Sequence, residues 1–355
     1  MRMRLDLPVS AGRRRLLRAA GLGAAAAALP VLPMSARAAA PAPGDVLTRS
    51  IPRTGERIPA IGLGTFMTFD LLPGAARAPL LEVMRRFWSA GGRLIDSSPL
   101  YGMAEVNVGD FAAVLGINAR ILVSNKVWAT GEFLADDSHA QRSLDMSMQR
   151  LWRDRLDLVH CHNLVNADVI VPLLQAWRRE ERIRYAGVSH HDTAYFGPLA
   201  EWIDKGNLDV VQLRYSMLTR QAEERVLPAA AARGAAVIVH MPFEKARLFQ
   251  LVAGRPLPAF AAEIGVDTWA QFFLKWILGN PAVTCVLAAT SNPDHVDDNM
   301  AAMRGALPDT PMRARMLDHL RAMPGFDRLE SVPWYPDKRY PGVIGRAQSE
   351  LRARG

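Results

Sequence analysis

The chain has 355 residues, 50% of them hydrophobic and 22% charged, with two cysteines and a formal net charge of +8. This composition suits a globular protein with one large core or two ordinary domains, and it excludes a disordered chain, a disulfide scaffold and a polytopic membrane protein. The charge is concentrated at one end: residues 1–38 hold seven arginines and one acid, a balance of +6 that leaves +2 for the rest, so nothing marks a nucleic-acid-binding surface.

The basic start runs into the apolar stretch Ala19–Leu32 and then Ala36-Arg37-Ala38, a small-x-small cleavage pattern, which reads as an export signal peptide over residues 1–38 followed by a linker over 39–57. The apolar stretch is shorter than the roughly 20 residues that span a bilayer, and no later segment qualifies, so stable membrane insertion is not expected. Arg13-Arg14-Arg15-Leu16-Leu17-Arg18 resembles the twin-arginine export motif, with Leu16 where Phe is commoner. That reading implies contact with the twin-arginine machinery and a periplasmic or exported protein. The alternatives are a generic arginine-rich leader or a start at Met34; if the leader is not used, the protein stays in the cytoplasm.

From Ile58 onward short β-like runs alternate with longer amphipathic ones. The predicted strands are Ala60–Gly64, Arg93–Asp96, Ile121–Ser124, Leu156–Cys161, Tyr185–Ser189, Val210–Leu213, Ala236–Met241 and Val283–Leu287. Helical periodicity covers Leu80–Ala90, Ser138–Leu151, Val169–Arg179, Ala222–Arg233 and Thr268–Leu278. Eight strand–helix units in about 250 residues, with no G-x-G-x-x-G after an early strand, favour a closed (β/α)8 TIM barrel over an open doubly wound sheet. The barrel is expected over 58–323. The tail 324–355, with Trp334 and Tyr335 among prolines and charges, is expected to pack on or near the barrel as an extended segment more than a helix. Cys161 and Cys285 fall on segments placed apart, so no bond between them is expected.

In such a barrel the chemistry lies at the C-terminal strand ends. Asp96, Lys126, His162, Ser189 and His190 all end or follow predicted strands, and Tyr101 lies in the loop after Asp96. Reduction of a carbonyl by a nicotinamide needs a proton donor where negative charge develops on oxygen. Tyr101 suits that role if the Lys126 ammonium lowers its pKa, with Asp96 holding the lysine and His162 orienting the substrate oxygen. Taken singly, each residue reads more readily as a cap, a packing ring, a surface charge or a core histidine.

Together they do not. Residues 61–65 (IGLGT), 94–109 (LIDSSPLYGMAEVNVG), 124–126 (SNK), 157–164 (DLVHCHNL), 185–189 (YAGVS) and 290–299 (TSNPDHVDDN) resemble, in order, motifs of the aldo/keto reductase family, over about Ile58 to Ala302. The resemblance implies Asp96, Tyr101, Lys126 and His162 as catalytic residues and a small-molecule carbonyl as substrate. It places Gly64, Thr65, Ser189, His190, Gln212, Pro242, Phe243, Thr290, Ser291, Asn292, His295, Asp298 and Asn299 at the cofactor, and Phe66, Trp128 and Asn163 in an apolar substrate pocket. NADP(H) is favoured and NAD(H) possible.

Three positions depart from the family pattern. His190 stands where many members have an Asn; no Lys or Arg follows the eighth strand to pair with a 2′-phosphate; and VIVHMPF (237–243) offers His240 or Phe243 where an aromatic ring commonly lies beneath the nicotinamide. Two rival readings follow from other features. His160-x-His162 and His190-His191 suggest a metal-dependent barrel hydrolase, although no matching carboxylate set accompanies them and metal is not expected. A dinucleotide-binding barrel without turnover, serving as a redox sensor or partner subunit, is the other alternative.

Overall fold

The computed structural model describes residues 46–130 and 136–354; the expected signal peptide over 1–38 lies outside them. Eight parallel strands close in the order of the sequence: β3 (Ile61–Gly64), β4 (Leu94–Asp96), β5 (Leu122–Val127), β6 (Leu156–His162), β7 (Ile183–His190), β8 (Val210–Arg214), β9 (Ala236–His240) and β10 (Cys285–Ala289), the last pairing back to β3. Helices follow the strands, among them α1 (Ala78–Ser89), α2 (Ala104–Val114), α3 (Ser138–Leu151), α4 (Ala167–Arg179), α5 (Phe196–Asp204), α6 (Val226–Arg233), α7 (Arg247–Leu251), α8 (Trp269–Leu278), α9 (Pro293–Ala301), α10 (Thr310–Arg321) and α11 (Val343–Arg354). This is the (β/α)8 barrel expected.

Each strand is buried on both faces, and the two-residue repeat sorts its side chains into two layers. One set packs outward against the helices: Ile61, Leu63, Ile95, Val123, Val159, Cys161, Val188, Val211, Leu213, Val237, Val239 and Val286. The other fills the barrel from within: Leu94, Leu158, Tyr185, Val210, Ala236, Ile238, Cys285 and Leu287. Cys161 and Cys285 thus sit in different layers, both as free thiols. At Gly187 the interior admits no side chain, because a Cβ would come within 2.6 Å of His160 Nδ1 and of the Val210 carbonyl oxygen.

Two expectations need correcting. The segment read as a linker carries the strand β1 (Thr48–Ser50), which pairs antiparallel with β2 (Arg57–Pro59). Ile51 and Ile58, both fully buried, join the inner layer and plug the N-terminal end of the barrel. The apolar face of so short a hairpin is too small to register as a periodic element. The tail ends in α11 rather than an extended run. Its residues include the good helix formers Arg, Ala, Gln, Glu and Leu, and the Ile344 amide at its start donates to the buried Asp70 carboxylate at 2.8 Å. The prolines that suggested extension stop at Pro341.

No helix among the described residues is long and apolar enough to cross a membrane.

Candidate active site

Following the inner layer of side chains toward the C-terminal ends of the strands, the residues turn from apolar to polar while keeping the same spacing. Leu94 gives way to Asp96, Leu158 to His160 and His162, Tyr185 to Ser189, Val210 to Gln212 and Ile238 to His240, while Leu122 gives way to Ser124 and Lys126. Asp96, Lys126, His162, Ser189, Gln212 and His240 meet at the floor of a cavity of about 1150 Å³, with Ser124 and His160 beneath them.

At its centre Lys126 Nζ bonds both carboxylate oxygens of Asp96, at 2.8 and 2.7 Å, and the Ser97 carbonyl at 2.8 Å. The pair is buried, with 3% and 6% of the side chains exposed. Ser124 Oγ and Gln212 Nε2 also donate to Asp96, at 2.7 and 2.9 Å, so the carboxylate is satisfied by three side chains from two other strands, β5 and β8. Such a pair is costly to desolvate and holds only with these further bonds. The Tyr101 ring lies 5.0 Å from Lys126 Nζ, edge-on to Phe66 at 4.9 Å and to His162 at 6.1 Å. His162 Nδ1 contacts Ser98 Oγ at 3.3 Å, which leaves Nε2 for a ligand.

The loop that carries Tyr101 is fixed from behind the sheet. Asn125 Nδ2 donates to Glu105 Oε1 at 2.8 Å, and Arg150 of α3 pairs with the same fully buried Glu105 at 3.0 Å. This accounts for the Asn of the SNK motif and for the Glu that follows Tyr101-Gly102: the outward-facing members of both motifs clamp α2 onto β5, while Tyr101 and Lys126 face inward.

The electrostatics correct one expectation. The Tyr101 phenol is held well above its ordinary pKa, first by burial and then by the negative charge of Asp96, with Tyr335 adding to it. The net direction is therefore upward, although the Lys126 ammonium, shared with Asp96 and the Ser97 carbonyl, lies 5.0 Å from the Tyr101 ring centroid. Tyr101 is therefore a protonated phenol at neutral pH, the form a proton donor needs. Burial also pulls the Lys126 ammonium down, opposed by Asp96. His162 is held well below its usual value, by burial and then by the Lys126 charge, and is a neutral imidazole. His160 is lowered to about 3 by burial; its Nε2 lies 3.1 Å from Ser124 Oγ and it sits beneath the site.

The cavity brings together nearly all the residues singled out above. Gly64, Thr65, Ser189, Gln212, Pro242, Phe243, Thr290, Ser291, Asn292, His295, Asp298 and Asn299 line it, as do Asp96, Tyr101, Lys126, His162, Phe66 and Asn163. His190 and Trp128 do not. The alternation that turns Ser189 inward turns His190 away, where its ring stacks on Tyr195 at 4.0 Å and its Nδ1 accepts from the Asp192 amide. His191 lines the cavity instead. β5 ends at Val127, so the alternation does not carry on to Trp128, whose side chain is 45% exposed. Among the described residues no group of three or more His, Cys, Asp or Glu is set to hold a metal ion, and His160 and His162 are engaged by Ser124 and Ser98.

Several lining residues were missed from the sequence. His191 follows the end of β7 at His190, and only its place beside the outward His190 hinted that it faces the cavity. Lys245 gave no such hint: it lies on a run of left-handed residues, Glu244 to Ala246 with φ of 52°, 50° and 74°, whose shape depends on distant partners. Glu244 turns inward to bond Arg214, Arg247 and Ser216, which leaves Lys245 facing the mouth, with Nζ 3.4 Å from the Trp334 ring centroid. The tail also returns to the site through Tyr335, Lys338, Arg339, Tyr340, Pro341, Ile344 and Gln348.

The geometry suits a nicotinamide dinucleotide. Two fully buried polar atoms in this cavity have no partner, Gln212 Oε1 and His240 Nε2, and a carboxamide offers both a donor and an acceptor to such groups. The volume exceeds the roughly 300–1,000 Å³ of a drug-sized pocket and has room for a dinucleotide beside a small substrate.

The model of the Aldo/keto reductase family matches residues 60–316. The chain belongs to the aldo/keto reductase family and is an NAD(P)H-dependent oxidoreductase. It is similar to an L-galactose dehydrogenase from Arabidopsis thaliana, 24% identical over 72% of this chain and 87% of that protein. It is also similar to an NADH-specific methylglyoxal reductase from Escherichia coli, 25% identical over 73% of this chain and 92% of that one. Among solved structures, an aldo-keto reductase from Klebsiella pneumoniae in complex with NADPH superposes with a TM-score of 0.65, at 25% identity over 79% of this chain and 96% of that one.

Proposed function

We propose that this aldo/keto reductase transfers a hydride between NAD(P)H and a small aldehyde or ketone, with NADP(H) favoured and NAD(H) possible. The observation that carries the reading is the buried Asp96–Lys126 pair set beside Tyr101 and His162, all facing one cavity. Gln212, His240 and Ser189 would hold the nicotinamide end, and the loops after β9 and β10 the remainder. The cofactor, when bound, supplies the hydride.

Tyr101 donates the proton to the carbonyl oxygen, because of Asp96, Tyr101, Lys126 and His162 its phenol is the group that faces the cavity with a proton to give and, among the described residues, no internal acceptor holding it. His162 Nε2 hydrogen-bonds that oxygen and fixes its approach. Lys126 supplies positive charge as the phenolate forms, and Asp96 keeps the lysine in place. With the carbonyl reduced to an alcohol, Tyr101 recovers its proton from solvent. Phe66 and Tyr335 close the sides, while His191, His240 and Lys245 make the pocket more polar than the aromatic composition suggested, so polar carbonyl substrates fit best.

The leader adds a second element to the proposal. Export by the twin-arginine route carries folded proteins, which would let the enzyme leave the cytoplasm with its dinucleotide held. Fractionation with N-terminal sequencing checks this: a mature start near Ala39 outside the cytoplasm supports it, and an intact leader inside sinks it. The catalytic reading is checked with NADPH dideuterated at the nicotinamide C4, so that either face delivers label, and a panel of aldehydes. Deuterium on the product carbinol carbon supports direct hydride transfer; turnover without label, or no turnover, rejects it.

A further inference from the structure

The end of β10 and the segment after it offer a dinucleotide phosphate no lysine or arginine among their lining residues, Ala289, Thr290, Ser291, Asn292 and His295. The two acids lining that part of the cavity are both tied up. Asp298 accepts from Thr268 and Gln271, each at 2.8 Å, and Asp70 accepts from the Met103 and Ile344 amides at 3.0 and 2.8 Å.

The tail brings cations to this end of the barrel. It is anchored at three places. Arg247 bonds the carbonyls of Leu329 and Glu330, the Tyr335 amide donates to the Lys245 carbonyl at 2.9 Å, and the Ile344 amide donates to Asp70. A Cβ on Gly342 would come within 2.0 Å of the Asp70 carbonyl oxygen, so the strap lies directly on the β3 loop. Lys245 follows β9 and Asp70 follows β3, and β10 stands between those two strands in the barrel. The chain between Tyr335 and Ile344 therefore crosses over the end of β10, and Lys338 and Arg339 lie in the middle of that crossing. Both line the cavity, both are exposed to solvent, and neither makes an ion pair with a carboxylate among the described residues.

We propose that Lys338 and Arg339 bind a phosphate of the dinucleotide, supplying from the tail the positive charge that the β10 segment lacks. The inference rests on the dinucleotide reading above and adds the residues that would set cofactor preference. The guanidinium offers a planar fork that matches phosphate oxygens in pairs, and the ammonium adds a point charge on the same strap. Because the strap is pinned at both ends, the two cations reach the cavity already positioned, at little further cost in chain entropy.

The test is direct binding of NADPH and of NADH, followed by fluorescence, to the full-length protein, to Lys338→Ala/Arg339→Ala and to Arg339→Glu, with Arg321→Ala on α10 as a charge control. Loss of charge-assisted bonds predicts a Kd for NADPH raised about tenfold or more in both strap variants, and no change in the control. If the phosphate is the 2′-phosphate, NADH binding stays as in the wild type; if it is the pyrophosphate, both Kd values rise together. Either pattern supports the inference. Wild-type binding with Kd values unchanged within about twofold in the strap variants, on the logarithmic scale of binding free energy, overturns it and leaves the dinucleotide reading standing. Failure of the wild type to bind either nucleotide overturns both.

Discussion

The two ends of the barrel are built on the same strands with the same alternation, yet they differ in what is left unsatisfied. At the N-terminal end Leu94, Leu158, Tyr185, Val210 and Ile238 pack against Ile51 and Ile58 of the hairpin, with no titratable group needed for function. At the other end the inward positions carry a buried ion pair, neutral histidines held below their usual pKa, and two buried polar atoms without partners. One end supplies packing energy; the other uses some of it to keep polar groups dry and ready for a ligand.

The contrast breaks first at Lys126. Lys126→Met removes one partner of a buried pair and strands Asp96, so we expect turnover to be lost and stability to fall by about 3–5 kcal/mol; chemical denaturation with a parallel activity assay checks both. Ile58→Ala, at the opposite end, is expected to cost about 2–5 kcal/mol through the cavity it leaves while kcat stays unchanged within error. A comparable loss of kcat from Ile58→Ala would erase the division between the ends.

The histidines sharpen the comparison further. His160, His162, His191 and His240 all have folded pKa values lowered by burial, His160 to about 3 and His191 to about 4. Below the ordinary value near 6.5 the unfolded chain binds protons that the folded chain refuses, so stability is fully present above that value and falls as the pH drops toward about 4. Denaturation midpoints across that range should drop steeply in the wild type and less so in His240→Gln. The smallest effect is expected at Trp128. Because its ring does not line the cavity, Trp128→Ala should change kcat/KM by less than about twofold, within the ±0.5 kcal/mol usual for surface positions.

What could be read from the sequence follows the same division. The strands and the tetrad were legible because period-two alternation and short spacings such as Asp96 to Tyr101 are local signals. The outward turn of His190 was legible too, had the alternation been followed one residue past Ser189 to the end of β7. Lys245, Asp70 and the strap were not. Lys245 depends on a loop shaped by Arg214 and Arg247, and Asp70 meets Ile344 across 274 residues of chain. The hairpin plug escaped notice because two buried isoleucines do not make a pattern. Tyr101 was assigned to the acid role by its place, but the direction of its pKa could not be read without the burial and the Asp96–Lys126 contact that set it.

The central claim is that Tyr101 acts as the acid in a cavity that binds NAD(P)H by other groups. NADPH binding and aldehyde-dependent NADPH oxidation should be measured side by side for the wild type and Tyr101→Phe. The account expects equal Kd values and a turnover reduced about 10²- to 10⁴-fold in the variant, the usual contribution of a general acid. Turnover that survives Tyr101→Phe, in a variant that still binds NADPH, would contradict it.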